Sequence, residues 1–541
     1  MPNLVTMKKI LFSAIIFTSA GIFAQTELVF VYFKDKPNKA AFYANPQSEL
    51  SEKALARRAN LGIALNDQDA PLENSYVQSI ENLGFEVSDK SKWLNGVAVN
   101  ANSMQIEQLE SQSFVASVES FVKDPFALPH DKKKNKFEDS YSLSKEVFPY
   151  GNGASQIDQV NLRPLHVSGF TGKNISIAVL DTGFPTVDTG LAYARLRNNG
   201  KIKGVYNFIS KNNDVYNTAL NSHGSMCLGV IGGYIAGSFV GSAPDADFYL
   251  YATESGPLEI PEEELYWIQA AEEADRVGVD IISSSLGYGD FFDDPRYNYT
   301  YEDMNGSKSF VARGAQIAAD KGILVVSANG NEGGTWWHYL ITPADNADVF
   351  SVGAVTPTGN SSGFSSYGPN ALGVIKPDAS ARGSETWFGF NNGATYANGT
   401  SFATPLTAGG IACLLQALPS SQPREEIRNS LRNTASLAPS HDDQMGFGIL
   451  NFAEALEIAT LSSDEATVKK NIQIYPNPAT DFVQIKTDDK IKSVELYDQL
   501  GRQIRKFNNE KTINIRQFPK GVYIMKVETE KATLTEKIIK K

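Results

Sequence analysis

The chain has 541 residues, with 49 Lys and Arg against 61 Asp and Glu, and a formal net charge of −12. This length exceeds one ordinary domain and predicts roughly two to four units. The acidic balance lacks the basic footprint of a nucleic-acid-binding protein, so no nucleic acid is expected as a partner. A composition that is 42% hydrophobic and 20% charged is typical of a folded soluble protein and excludes a disordered chain.

The N-terminus has the pattern of a secretory signal peptide over residues 1–24. Lys8 and Lys9 precede the apolar run 10–17, and small residues follow it. A charged start, a short apolar core and a small-residue cleavage site define such a peptide, and the run is too short for a membrane span. A buried N-terminal strand is the alternative.

Two cysteines, Cys227 and Cys413, do not argue against export, because a large secreted protein can build its core without disulfides. They form either one bridge or two buried thiols, and the second arrangement is expected.

Residues 25–146 predict a small α/β unit followed by a linker. Apolar periodicity predicts strands at 28–33, 94–101 and 114–122, and helices at 51–60, 76–83 and 103–109. The stretch 131–146, DKKKNKFEDSYSLSKE, is charged and poor in apolar residues, which indicates an exposed linker where proteolytic processing is expected.

Residues 147–460 alternate short apolar strands with helices. Strands are predicted at 175–180, 279–285, 323–328 and 349–355, and helices at 262–276 and 310–321. This alternation favours an α/β fold with a mostly parallel sheet covered on both faces. Residues 463–541 instead predict a small antiparallel β-sandwich, because short strands alternate with Pro, Gly and Asn turns.

Three motifs carry candidate catalytic residues. Asp181 ends an apolar strand in IAVLDTGF, His223 lies in NSHGSMCLGVIGG, and Ser401 opens a helix in NGTSFATPLTAGG. Each alone has an ordinary structural explanation: a turn-capping carboxylate, a structural histidine and an N-cap serine. Together they supply a nucleophile, a base to remove its proton and a carboxylate to orient that base.

Asn331 in VVSANGNEG completes the set. An asparagine in a Gly-rich turn is ordinarily a turn residue. Next to a serine nucleophile, its amide can instead donate a hydrogen bond to a developing oxyanion, together with the backbone N–H of Ser401.

The ordered blocks DTGF, HGSMCLG, SSSLGYG, SANGNEG and GTSFATP resemble those of the subtilisin-like serine proteases, over residues 149–460. The resemblance implies a three-layer subtilisin-like fold and a reaction that requires no cofactor or catalytic metal. It also implies that Asp181, His223 and Ser401 form a catalytic triad and that Asn331 is the oxyanion donor. Ser285, Leu286 and Gly287 then lie beside the primary specificity pocket, where substrate adds as an extended strand.

The flanking segments also resemble known units. Residues 25–146, especially LNGVAVNANSMQIEQLE, resemble a subtilase propeptide, which implies an inhibitor and folding aid that is cut off. YPNPATDF, GVYIMKV and the terminal KIIKK resemble the sorting domain of the type IX secretion system of Bacteroidetes. That resemblance implies export through the periplasm and outer membrane to the cell surface or medium; a plain adhesive sandwich is the alternative.

Two local departures from the subtilase pattern carry their own hypotheses. Cys227 lies one helical turn beyond His223, where some subtilases hold a cysteine, and it predicts sensitivity to mercurials. The insertion at 290–307 offers Asp290, Asp293 and Asp294 as ligands for a structural calcium ion, with an exposed acidic loop as the alternative.

The expected function is therefore that of a secreted, monomeric serine endopeptidase that cleaves proteins through an acyl-enzyme intermediate. A catalytically silent surface adhesion or binding protein on the same scaffold is the alternative from another class. An esterase with the same triad is disfavoured, because no Gly-x-Ser-x-Gly elbow surrounds Ser401.

Overall fold

A computed structural model describes residues 25–127, 150–460, 472–498, 502–531 and 533–541. The predicted signal peptide at 1–24 and the predicted linker at 131–146 lie outside these ranges.

The N-terminal unit is a four-stranded antiparallel sheet with the strand order β2-β3-β1-β4. Its elements are β1 (Glu27–Phe33), α1 (Lys39–Ala44), α2 (Glu52–Leu61), α3 (Asn74–Asn82), β2 (Val87–Ser91), β3 (Gly96–Ala101), α4 (Ser103–Glu110) and β4 (Val115–Ser120). Ser51 caps α2 by accepting the Ala54 N–H at 3.1 Å. The predicted strands and helices are confirmed; β2, whose sequence VSDKS is polar, was not among them.

The central unit contains a seven-stranded sheet in the order β13-β12-β11-β10-β5-β9-β6. The strands of this sheet are β5 (Ser176–Asp181), β6 (Ile202–Asn207), β9 (Asp247–Ala252), β10 (Ile281–Ser284), β11 (Leu324–Ala328), β12 (Phe350–Val355) and β13 (Ala379–Arg382). The central unit also has two separate two-stranded sheets, one of β7 (Tyr234–Ile235) and β8 (Phe239–Val240) and the other of β14 (Thr386–Phe390) and β15 (Gly393–Ala397). Its helices include α5 (Ala154–Gln159), α6 (Arg163–Val167), α7 (Ala194–Asn198), α8 (His223–Gly232), α9 (Glu262–Val277), α10 (Phe310–Asp320), α11 (Thr400–Ala417) and α12 (Arg424–Asn433), and residues 452–460 are also helical.

Neighbouring strands of the seven-stranded sheet run parallel, so their carboxyl ends share one edge. Leu180 of β5 pairs with Ser284 of β10, which in turn pairs with Ser327 of β11. This register places the ends of β5, β10 and β11 side by side, where open parallel sheets bind their ligands.

Helices cover both faces of this sheet, as the continuous apolar strands predict. Ile177 and Val179 face the core that contains α8 and α11, whereas Ala178 and Leu180 face the core that contains α9 and α10. The α/β three-layer architecture is therefore confirmed.

The N-terminal unit packs on the α9 and α10 side of the central unit. Leu28, Phe30 and Phe121 share one hydrophobic cluster with Trp267 and Phe310. The rings of Phe121 and Phe310 stack with centroids 3.8 Å apart. The opposite face of the four-stranded sheet forms a separate core with α3 and α4.

The C-terminal unit consists of two antiparallel sheets, β16-β17-β20 and β19-β18-β21-β22, around a shared apolar core. Its strands are β16 (Gln473–Tyr475), β17 (Phe482–Lys486), β18 (Ile491–Tyr497), β19 (Gln503–Phe507), β20 (Thr512–Asn514), β21 (Gly521–Thr529) and β22 (Thr533–Lys540). The predicted sandwich is confirmed. In the described part of the chain, no helix combines the length and apolar character that a membrane span requires.

Candidate active site

Asp181 and His223 form a buried pair at the carboxyl edge of the central sheet. Asp181 is the last residue of β5, and its Oδ1 lies 2.8 Å from Nδ1 of His223. The Thr182 N–H also donates to Asp181 Oδ1, at 2.8 Å. The carboxylate is held by two donors and therefore fixes the orientation of the imidazole.

The start of α8 fixes the position of His223. Its backbone N–H donates to Oδ1 of Asn221 at 2.9 Å. A Cβ on Gly224 would lie 2.4 Å from the Gly183 carbonyl oxygen and 2.9 Å from Cβ of Asp181. The glycine after His223 is therefore required for α8 to approach the end of β5.

Ser401 lies in the first turn of α11, next to the segment that follows β10. Its Oγ donates to the Ser285 carbonyl oxygen at 3.4 Å, and the Ser285 hydroxyl donates to the Ser401 carbonyl oxygen at 2.8 Å. Gly399, with φ +149°, turns the chain into the helix. The predicted position of Ser401 at a helix N-terminus is confirmed.

Cys227 connects the serine and the histidine. Its Sγ lies 3.4 Å from the Ser401 carbonyl oxygen and 3.8 Å from Nδ1 of His223. The ring centroids of His223 and Phe402 are 5.8 Å apart. The three motifs thus lie close together, although His223 is 42 positions from Asp181 and Ser401 is 178 positions from His223. Among the described residues, no disulfide joins Cys227 to Cys413, so the expectation of two thiols is confirmed.

Asn331 lies in an exposed turn after β11, facing the start of α11. Its Oδ1 accepts the Thr400 N–H and hydroxyl, each at 2.9 Å, which directs the amide nitrogen away from Thr400. A Cβ built on Gly399 would lie 3.7 Å from Asn331 Nδ2 and 3.6 Å from the Ser401 nitrogen. The two donors therefore border the same small space, which the glycine leaves open.

Residues 285–287 follow β10 along the edge of this site. Ser285 exchanges hydrogen bonds with Ser401, as described above. Leu286 is 1% exposed and belongs to the core shared with α9. Its side chain therefore faces the protein interior.

Two groups of three side chains in the described residues bring potential metal ligands within 4.8 Å of one another. They are Asp181, His223 and Cys227, and Glu254, Glu259 and Glu263. Asp290, Asp293 and Asp294 belong to neither group, and Asp294 forms a 2.7 Å ion pair with Arg296.

The insertion at 290–307 is also not simply an exposed acidic loop. Tyr297 and Tyr299 are buried, and the Tyr299 hydroxyl donates to Glu264 at 2.7 Å.

A buried ionic network joins the N-terminal unit to the central unit. Asp275 of α9 accepts hydrogen bonds from both Arg57 and Arg58 of α2, the second at 2.7 Å. Asp69 accepts from Arg58 and from Lys321, each at 2.7 Å. Burial alone would raise the pKa of Asp69, but Lys321 and Arg58 lower it overall. The helix predicted at 51–60 contains Arg57 and Arg58, but the sequence alone does not indicate their partners.

Two further contacts extend this interface. Glu272 of α9 accepts the Ser91 hydroxyl at 2.6 Å and the Trp93 N–H at 3.0 Å, and its burial raises its pKa. Arg313 of α10 pairs with Glu119 of β4 at 3.0 Å. Apolar packing, ion pairs and backbone hydrogen bonds thus all contribute to the contact.

Comparisons with known protein families agree with this three-part organisation. Residues 172–448 match the subtilase family model, peptidase S8. Residues 28–138 match the peptidase S8 propeptide domain of Bacteroidota. Residues 473–541 match a secretion system C-terminal sorting domain.

Individual relatives are bacterial proteases. The chain is 29% identical over 425 residues to an alkaline protease of Alkalihalobacillus alcalophilus, covering 76% of this chain and 93% of the relative. It is 30% identical over 425 residues to the M-protease of Shouchella clausii, with the same coverage. It is 31% identical over 306 residues to subtilisin Savinase of Lederbergia lenta, covering 55% of this chain and 96% of the relative.

The sorting domain and the subtilisin relatives make this a secreted or cell-surface protein made with a propeptide. The chain belongs to the subtilase family and is a serine-type endopeptidase.

Proposed function

We propose that the enzyme hydrolyses peptide bonds of proteins through an acyl-enzyme intermediate on Ser401, with His223 as the base and Asp181 as its orienting carboxylate. The observation that carries the proposal is the 2.8 Å contact between Asp181 Oδ1 and His223 Nδ1 beside the first turn of α11. A carboxylate on Nδ1 leaves Nε2 of the neutral imidazole to accept a proton.

In the first half of the reaction, Ser401 Oγ attacks the scissile carbonyl while its proton passes to His223. Asp181 stabilises the imidazolium that forms. Collapse of the tetrahedral intermediate breaks the C–N bond, and His223 returns the proton to the leaving amine. Water then enters, loses a proton to His223 and hydrolyses the ester on Ser401 by the reverse sequence.

Asn331 Nδ2 and the Ser401 N–H stabilise the oxyanion in both halves. Their shared position around the open space at Gly399 supports this role. Because Asn331 Oδ1 is occupied by two donors from Thr400, the amide is oriented before the substrate arrives. Such preorganised donors stabilise the transition state without reorganisation during the reaction.

Substrates are proteins or peptides that bind in extended form along Ser285, Leu286 and Gly287. Backbone groups at the end of a parallel strand can pair with an added strand, which gives affinity without reading every side chain.

The propeptide inhibits the enzyme until it is cut off. The buried network of Arg57, Arg58 and Asp275 supports a specific complex, because a partner without the matching charges would leave one of these groups buried and unpaired. We expect self-processing in or near 131–148. We also expect the following division: signal peptide 1–24, propeptide and linker 25–146, catalytic domain 147–460 and sorting domain 463–541.

The type IX secretion machinery recognises the sorting domain and removes it, and the mature enzyme is a monomer. The reaction uses protein groups alone and requires no cofactor. A structural calcium ion at Asp290, Asp293 and Asp294 stays a prediction, which calcium analysis of the dialysed enzyme tests.

Steady-state kinetics of the mature enzyme test the proposed roles. Ser401→Ala and His223→Ala should each lower kcat by about 10⁴-fold or more, with KM nearly unchanged. A double variant should be no worse than either single variant, because the two groups act as one unit. Near-normal kcat in either single variant would refute the assignment, and a catalytically silent surface protein would lack activity even in the wild type.

A further inference from the structure

A groove lies on the α9 side of the central sheet, over its last two strands, β9 and β6. Its volume is about 620 Å³, and small-molecule sites typically have about 300–1,000 Å³. Lys92 of the N-terminal unit lines one part of it, and the other lining residues belong to the central unit. None of them belongs to the candidate triad. We call this space the β6–β9 groove.

Four aromatic side chains line the β6–β9 groove, and their rings form a continuous series. The ring centroids of Tyr206 and Phe208 are 4.8 Å apart, and those of Phe208 and Tyr251 are 5.6 Å apart. The centroids of Tyr249 and Tyr251 are 6.2 Å apart. Gly204 adds no side chain here, and a Cβ on it would lie 3.0 Å from the Tyr249 ring. The groove therefore offers a broad apolar surface to a flat molecule.

The Tyr251 hydroxyl provides a polar contact in this apolar surface. Tyr251 is 2% exposed, and its hydroxyl forms no hydrogen bond with any residue that the structure describes. Buried tyrosine hydroxyls usually have a hydrogen-bond partner. Because Tyr251 lines the groove, a molecule bound there can supply that partner.

The two carboxylates that line the groove already have partners. Glu272 accepts the Ser91 hydroxyl at 2.6 Å and the Trp93 N–H at 3.0 Å. Glu273 accepts Nε and Nη2 of Arg276, each at 2.6 Å. These carboxylates are therefore poorly placed to bind a cationic ligand.

The two lysines that line the groove retain hydrogen-bond donors. Lys92 Nζ lies 3.8 Å from Glu49, and Lys203 Nζ lies 3.6 Å from Asp247. Both distances exceed those of a hydrogen bond, so each ammonium group is attracted to its carboxylate without donating to it. The groove thus combines an aromatic surface with two cationic donors, which is complementary to an anion with an apolar body.

We propose that the β6–β9 groove binds an amphipathic organic anion with a flat aromatic body. The body packs on the tyrosine rings, a polar atom of it pairs with the Tyr251 hydroxyl, and its acidic group accepts hydrogen bonds from Lys92 and Lys203. Because Lys92 belongs to the propeptide, the bound anion contacts the propeptide and the catalytic unit together. It therefore stabilises their association by linkage.

The test titrates the full-length Ser401→Ala chain with anilinonaphthalene sulfonate at low salt and follows the fluorescence of the bound dye. Lys92→Gln and Lys203→Gln should each weaken binding by about tenfold or more, since hydrogen bonds to charged groups contribute that much. Lys201→Gln is the matched control and should leave the affinity unchanged. Lys201 pairs with the same Asp247, at 3.2 Å, but does not line the groove.

The uncharged dye N-phenylnaphthylamine has the same ring systems without the sulfonate, and it should bind at least about tenfold more weakly. Equal affinities of Lys203→Gln and Lys201→Gln for the sulfonate would overturn the inference. So would equally tight binding of the uncharged dye, or no binding of the sulfonate to the parent chain. The test needs no nucleophile, so its failure leaves the proposed function intact, and a lack of peptidase activity leaves the groove intact.

Discussion

Replacing Asp275 with Asn should accelerate release of the propeptide from the catalytic domain. Asp275 is fully buried, and it accepts hydrogen bonds from Arg57 and Arg58, whose side chains are 3% and 2% exposed. Asparagine keeps the shape of the side chain but removes its charge and one acceptor. Both guanidinium groups then lose a charged partner in a place that water does not reach.

The expected loss of binding free energy depends on the hydrogen-bond partners that each arginine retains. Truncating one partner of a buried, hydrogen-bonded charge pair costs about 2–5 kcal/mol. Arg58 retains Asp69 at 2.7 Å, and Arg57 retains the Lys321 carbonyl oxygen at 3.1 Å, which favours the lower half of that range. A loss of about 2–3 kcal/mol weakens binding by about 30- to 140-fold, mostly through faster dissociation.

The assay uses a Ser401→Ala precursor, so that the enzyme cannot digest its own propeptide. An added protease cuts the chain within 131–146, and propeptide dissociation is followed by gel filtration over time. Glu273→Gln on the same helix is the matched control, because Glu273 pairs with Arg276 at a partly exposed position where such bridges contribute little. Equal dissociation rates for Asp275→Asn and Glu273→Gln would refute the reasoning.

Three further predictions concern the catalytic domain. Asn331→Ala should lower kcat by about 10²–10³-fold with little change in KM, and a loss confined to KM would contradict an oxyanion role. Mercurials should inactivate the wild type but not Cys227→Ser, because a metal on Sγ would disturb His223, and equal inactivation of both would count against this. Burial alone would raise the pKa of Asp378, but Lys376 and Arg432 lower it to about 2. The ionised carboxylate therefore stabilises the fold fully above about pH 4, and progressively less as the pH falls toward 2. Asp378→Asn should therefore reduce the free energy of unfolding by about 2 kcal/mol at neutral pH and much less near pH 2, as chemical denaturation at both pH values measures; an equal loss at both would contradict it.

The strands that position the candidate triad could be predicted because they are buried on both faces. β5 and β11 are mostly apolar and β10 begins with two isoleucines, and the structure gives the bounds of all three within two residues of the prediction. The triad residues follow these strands or open helices with distinct Gly contexts, such as Gly224 and Gly399. Local sequence was therefore enough to indicate where each of them lies.

The propeptide interface could not be predicted, because its meaning depends on contacts between distant segments. Arg57 and Asp275 are separated by 218 positions, and two adjacent arginines on a helix ordinarily indicate a solvated face. Burial of their charges follows only from the docking of α2 against α9.

In the insertion at 290–307, acidic and aromatic residues have different environments, which the composition did not indicate. The acidic residues suggested a calcium ligand set or an exposed acidic loop. In the structure Asp294 pairs with Arg296, whereas Tyr297 and Tyr299 turn inward, where the Tyr297 hydroxyl accepts the Leu28 N–H of the N-terminal unit at 3.4 Å. Part of this loop therefore supports the propeptide contact.

Covalent labelling of the propeptide-free enzyme with a fluorophosphonate, followed by peptide mapping, tests the account most directly. The account predicts one adduct on Ser401, no adduct in Ser401→Ala, and strongly slowed labelling in His223→Ala. Labelling of a different serine, or the same labelling rate without His223, would contradict the proposed nucleophile and its base.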